Sequence, residues 1–176
     1  WIDGEGFSPY VENLVFDGDV NFKSYFESVQ CHGDYGTWLE LAKKVRSGNV
    51  FPRLILAASF ASVLVKPLGG LPFFLHIWGG TEVGKTVGLM LAASVWANPE
   101  VGRYIHTFNS TSVGREKSAA FVNSLPLILD ELQIIKDKKD FDQSIYMLSE
   151  GAGRTRGNKS GGVDKTPTWS NCIITS

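Results

Sequence analysis

Cysteine is scarce in this chain. Cys31 and Cys172 are the only two, far apart and without the spacing of a metal-ligand pair. Both read as free, buried thiols in a reducing, cytoplasmic compartment, with a long-range disulfide between them as the alternative. Histidine is nearly as rare: His32, His76 and His106 are scattered and form neither a ligand set nor a triad pattern. There is no excess of either charge, since 17 Lys and Arg stand against 18 Asp and Glu for a net of −1. That balance does not announce a nucleic-acid binder, although a local basic patch would suffice for one. Long apolar runs are missing too. The most apolar stretch, Leu54 to Val65, falls short of the roughly 20 residues that span a bilayer, and no signal peptide is visible. Repeats and low-complexity segments are absent.

What is present is ordinary globular material. Hydrophobic residues make up 43% and charged residues 20% of 176, enough for one good core and too apolar for wholesale disorder. The chain opens on Trp1 rather than Met and closes on Ser176 just after an apolar run, so both ends read as cuts through a longer polypeptide.

Residues 1 to about 36 mix Gly, Asp, Phe and Tyr without periodicity and suggest short strands and loops. Thr37-Trp38-Leu39-Glu40 has capping-box spacing and predicts a helix that ends at Ser47-Gly48-Asn49. Pro52 suits the first turn of a second helix, apolar on nearly every side and therefore expected to be buried, running to Val65 before Pro67 and Gly69-Gly70. Strands then alternate with helices. Strands are predicted over 71–78, 103–108, 125–129 and 171–175, and helices over 86–97, 115–123 and 141–150. This alternation implies βαβ units and a largely parallel sheet.

Two segments carry chemistry. Gly79-Gly80-Thr81-Glu82-Val83-Gly84-Lys85-Thr86 matches G-x-x-x-x-G-K-[ST] in full, after an apolar strand and at the start of a helix. Chance produces the pattern in on the order of one percent of chains this long. Glycines let backbone amides wrap phosphate oxygens, and the helix adds its positive dipole end. Lys85 suits the β- and γ-phosphates of ATP, and the Thr86 hydroxyl suits Mg²⁺. The second segment, Leu125 to Leu129, is an apolar strand ending in Asp130-Glu131. There Asp130 would hold the Mg²⁺ shell and Glu131 would activate the attacking water.

A strand–helix unit lies between the loop helix and the acidic strand, and another strand follows. The predicted fold is therefore α/β: a P-loop NTPase three-layer sandwich with a mostly parallel sheet, of the additional-strand, catalytic-glutamate division. A mainly helical segment (1–68) would precede this core (69–176), which looks truncated at its C-terminal end. A regulatory GTPase fits poorly, because D-x-x-G is absent after Asp130 and Asn158-Lys159-Ser160-Gly161 lacks the aspartate of N-K-x-D. Thr175 or Ser176, at the end of the last strand, is a candidate γ-phosphate sensor. Gly151 to Lys165 holds Arg154, Arg156, Lys159 and Lys165 among glycines, where a cation would track a nucleic-acid backbone or act in a neighbouring subunit, unless the loop is plain solvated surface. Lys136 to Asp140 reads as surface.

From Trp38 to Ser176 the chain resembles the family catalogued as domain of unknown function 927, helicase-like P-loop ATPases of bacterial mobile elements and phages, often linked to primase modules. The likeness rests on the apolar helix before the loop, on Gly79–Thr86, on Asn109-Ser110-Thr111-Ser112-Val113-Gly114, on Leu125–Glu131 and on Glu150–Gly157. Arg115 departs from it, since an apolar residue is expected after Gly114. The resemblance implies ATP-driven work on DNA, single-stranded by inference, by a homo-oligomeric ring. A P-loop kinase and a nucleotide-gated switch are the rival readings.

Overall fold

A computed structural model describes residues 18, 20–132, 137–157 and 161–176. Within them a short 3₁₀ turn at Val20–Phe22 leads into α1 (Lys23–Ser28), followed by α2 (Tyr35–Ser47), α3 (Val50–Ser62), β1 (Phe73–His76), α4 (Lys85–Ala93) and β2 (His106–Thr107). Then come α5 (Ser112–Val122), β3 (Leu127–Asp130), α6 (Lys138–Glu150) and β4 (Cys172–Thr175). The four strands form one all-parallel sheet in the order β1-β4-β3-β2, so the chain is α/β. Among the described residues no helix is long and apolar enough to cross a membrane.

The two inner strands explain the order. Every residue of β3 and β4 is buried, and their uninterrupted apolar runs suit positions covered on both faces. Of the apolar strand predicted over 71–78, β1 spans only Phe73–His76 and is only partly covered, because it lies at a sheet edge. At the other edge, α1 covers β2. Tyr25 stacks on His106 at 4.4 Å and meets Tyr104 edge-on at 5.3 Å. Where short strands and loops were expected before residue 36, residues Lys23–Ser28 are helical, six residues being too short for periodicity to reveal; the same expectation for residues 1–17 lies outside the described residues.

Caps set the helix boundaries. Asp34, not Thr37, starts α2: its carboxylate accepts from Thr37 N at 2.6 Å, and an aspartate also complements the helix dipole. Thr111 accepts from Gly114 N and starts α5 three residues before Arg115, while Asp137 starts α6 at Lys138. Helix α3 stops at Ser62 because the chain tightens there, with Leu64 N bonding Ala61 O and Val65 N bonding Ser62 O. The expectation that α3 is buried all round fails. Ile55, Leu56 and Ala58 enter the core, but Phe51 is 70% exposed and Leu54 and Phe60 also face out. Ser59 and Ser62 tie its inner face to Ala92 O and Ser124 O.

Neither cysteine forms a disulfide. Cys31 is exposed, against the expectation of a buried thiol, whereas burial pushes the Cys172 thiol up to about 12 and leaves it inert.

Candidate functional site

The carboxyl ends of β1, β4 and β3 lie side by side, and the residues singled out in the sequence collect there. Ile77 N donates to Thr175 O at 2.8 Å, extending the β1–β4 pairing to the mouth of the glycine loop. The loop turns through Gly79, Gly80, Thr81, Glu82 and Val83, and α4 begins after Gly84. Gly84 has φ 84°, a left-handed conformation that glycine adopts without steric cost. Gly79 is a close approach of a different kind, since a Cβ there would come within 2.8 Å of Val83 Cγ2. Lys85 folds back on the loop, its Nζ donating to Gly79 O at 3.0 Å and Gly80 O at 2.6 Å.

One residue along, Thr86 Oγ1 donates to Asp130 Oδ2 at 3.2 Å. This contact joins the two motifs across 44 residues of sequence. Asp130 is 9% exposed, and its other oxygen accepts from Glu131 N at 2.9 Å and from the Ser176 hydroxyl. Glu131 is exposed and has φ 62°, a left-handed conformation that costs a non-glycine residue about 1 kcal/mol or more. Two further bonds hold its surroundings: Phe108 N to Asp130 O at 2.8 Å, and Leu132 N to Ser176 O at 2.9 Å. Of the two candidates at the end of β4, Ser176 faces the acidic strand. Thr175 Oγ1 instead shares a hydrogen bond with His76 Nδ1 at 2.9 Å.

Chemically, the cluster offers a lysine ammonium, a threonine hydroxyl beside a buried carboxylate, a second carboxylate at the surface, and a helix start whose first amides lack intrahelical partners. Those oxygens suit a hard divalent cation that keeps several waters. Among the described residues, no group of three or more His, Cys, Asp and Glu converges as a protein-only cage.

The basic segment after α6 is not a featureless loop. Antiparallel bridges pair Ala152 with Thr168 and Gly157 with Val163, so it forms a two-stranded arm. At its base Gly151 has φ 73° and Trp169 N donates to Gly151 O. Arg156 forks onto Glu116 with two 2.7 Å bonds, within its own chain. Arg154 and Lys165 are exposed. Lys136 and Asn158-Lys159-Ser160 lie outside the described residues.

Sequence reasoning placed a helix over 115–123 but missed the charged pair that α5 buries. Helical spacing sets Arg115 and Glu116 on the same face as Ala119 and Val122, which is the buried face. That period was the available signal. Glu116 is 1% exposed, and the Arg156 bond holds its carboxyl below the usual glutamate range. A depressed folded pKa stabilises above the unfolded value and loses that contribution as pH falls through the folded one. Glu116→Gln should therefore cost about 1–3 kcal/mol at neutral pH, Arg156 being only partly buried. In urea unfolding, the gap from the parent should close as the pH drops below the glutamate range.

No curated protein matches the chain. A family profile, described as Domain of unknown function (DUF927), matches residues 12–169. That range contains the glycine loop, the acidic strand and the whole arm as far as Trp169, and on that match the chain belongs to the DUF927 family.

Proposed function

We propose that this chain is the ATP-binding and ATP-hydrolysing core of a P-loop motor acting on DNA. The observation that carries the reading is the 3.2 Å bond between Thr86 Oγ1 and Asp130 Oδ2. It sets a hydroxyl from the phosphate loop against a carboxylate from another strand, as a site for Mg-ATP requires. The sheet order supports the finer class, because β4 lies between the loop strand β1 and the acidic strand β3, as an additional strand should. A three-layer P-loop sandwich of the catalytic-glutamate division accommodates both.

In this reading the amides of Gly79–Gly84 and the first turn of α4 bind the phosphates, and Lys85 exchanges its loop carbonyls for β- and γ-oxygens. Thr86 and Asp130 would hold Mg²⁺, which neutralises charge on the transferred phosphoryl group. Glu131 accepts the proton of the attacking water. The DNA-directed part rests on the family resemblance and on Arg154 and Lys165, exposed on the arm. A homo-oligomeric ring, a linked primase module and a cytoplasmic setting belong to the same proposal.

ATPase assays with and without single-stranded DNA test this. Turnover that rises with DNA is expected. Lys85-dependent turnover indifferent to DNA but stimulated by a phosphoryl acceptor would make the protein a kinase. Stoichiometric binding without turnover would make it a switch.

A further inference from the structure

Arg115, the residue that departs from the family pattern, is 2% exposed and joins two segments. Its Nη1 donates to Phe108 O at 3.2 Å and to Ser110 O, gripping the turn that leaves β2. Its Nη2 donates to both carboxylate oxygens of Asp140, at 3.1 and 3.2 Å, and to Ser144 Oγ at 2.7 Å, gripping the first turns of α6. The guanidinium carbon also lies 5.0 Å from the centre of the Phe108 ring.

These partners bracket the acidic turn. Phe108, whose carbonyl Arg115 holds, donates its own N–H to Asp130 O at 2.8 Å. Asp140 and Ser144, in the first turns of α6, hold the same guanidinium in place. One guanidinium therefore ties the exit of β2, which is bonded to Asp130 through Phe108, to the start of α6. Glu131 needs such bracing, because its left-handed backbone is costly and persists only when its surroundings over-determine it. An apolar residue at 115 would fill the same space but hold neither end. A lysine would not span the two, lacking the planar fork.

We propose that Arg115, with Asp140, is a positioning residue for the Asp130–Glu131 turn and, through it, for the water that Glu131 activates. The second half of this statement rests on the proposed function; the first half does not. A carboxylate displaced by about 1 Å loses on the order of 10²-fold in rate while nucleotide binding, at Lys85 and Thr86, is untouched.

The test uses Asp140→Ala and Arg115→Lys in the full chain. Asp140 is the safer site, since its side chain is 45% exposed and its loss should not unfold the protein. Amide hydrogen exchange, followed by NMR without nucleotide, reads the turn directly. Both variants should speed exchange at Glu131 and Leu132 by about tenfold or more while leaving Ile128 and Ile174 unchanged. With Mg-ATP, kcat should fall and KM stay flat, and Asp140→Asn, which keeps one acceptor for Nη2, should recover part of the loss. Unchanged exchange at Glu131 and Leu132, or a uniform rise across β3 and β4, overturns the proposal. Quickened exchange in a protein with no ATPase activity would leave the positioning intact and remove the catalytic reading of Glu131 instead.

Discussion

Lys85→Ala should leave the fold intact and remove nucleotide binding. In the present structure the ammonium rests on Gly79 O and Gly80 O, carbonyls of an exposed turn that water can serve equally well. Its loss therefore costs little stability. With triphosphate bound, the same charge would meet the β- and γ-oxygens. Truncating one partner of such a charge-assisted pair costs about 2–5 kcal/mol, roughly 30-fold to several thousand-fold in Kd. Titrating a fluorescent ATP analogue in the presence of Mg²⁺ measures this. Equal affinity in parent and variant would remove Gly79–Thr86 as the nucleotide site. Because the threonine–aspartate contact does not involve Lys85, the melting temperature should barely move, which separates lost binding from lost folding.

The glycine loop and the acidic strand were legible because each is a short, contiguous pattern whose chemistry dictates residue type at every position. The inner strands were legible for a similar reason: Leu127–Asp130 and Cys172–Thr175 follow uninterrupted apolar runs that only doubly covered strands tolerate. What stayed hidden depends on partners distant in sequence. Nothing local says that the segment around Phe73 forms an edge, or that Tyr25 lies over His106. The capping box at Thr37 lost to Asp34 because the helix starts about one turn earlier, where a charged acceptor takes the Thr37 N–H and matches the dipole. Arg115, Glu116 and Arg156 were hardest to see. A charged residue is read as surface by default, and only the helical register of Ala119 and Val122 points two of them inward. The arm was read from its cations, yet the arginine that seemed available at 156 is bonded to Glu116 in its own chain.

The last expectation separates the two carboxylates. Asp130 and Glu131 are adjacent in sequence but differ in every physical respect that matters. Asp130 is nearly buried and accepts three donors: the hydroxyls of Thr86 and Ser176 and the N–H of Glu131. Asparagine there offers one acceptor oxygen and turns an NH₂ toward existing donors, so Asp130→Asn should weaken stability and Mg-ATP binding together. Glu131 is exposed, and its replacement by glutamine keeps the size and the backbone demand of the side chain. What glutamine cannot do is accept a proton from water. Glu131→Gln should bind Mg-ATP as tightly as the parent while hydrolysis falls by about 10²–10⁴-fold, the range a general base contributes. Single-turnover assays read that step without interference from product release. Cleavage at the parent rate would end the case for Glu131 as the base. A parallel loss of binding and cleavage would mean that the substitution had also disturbed Asp130 and its contact with Thr86, an outcome that exchange at Leu132 would reveal independently.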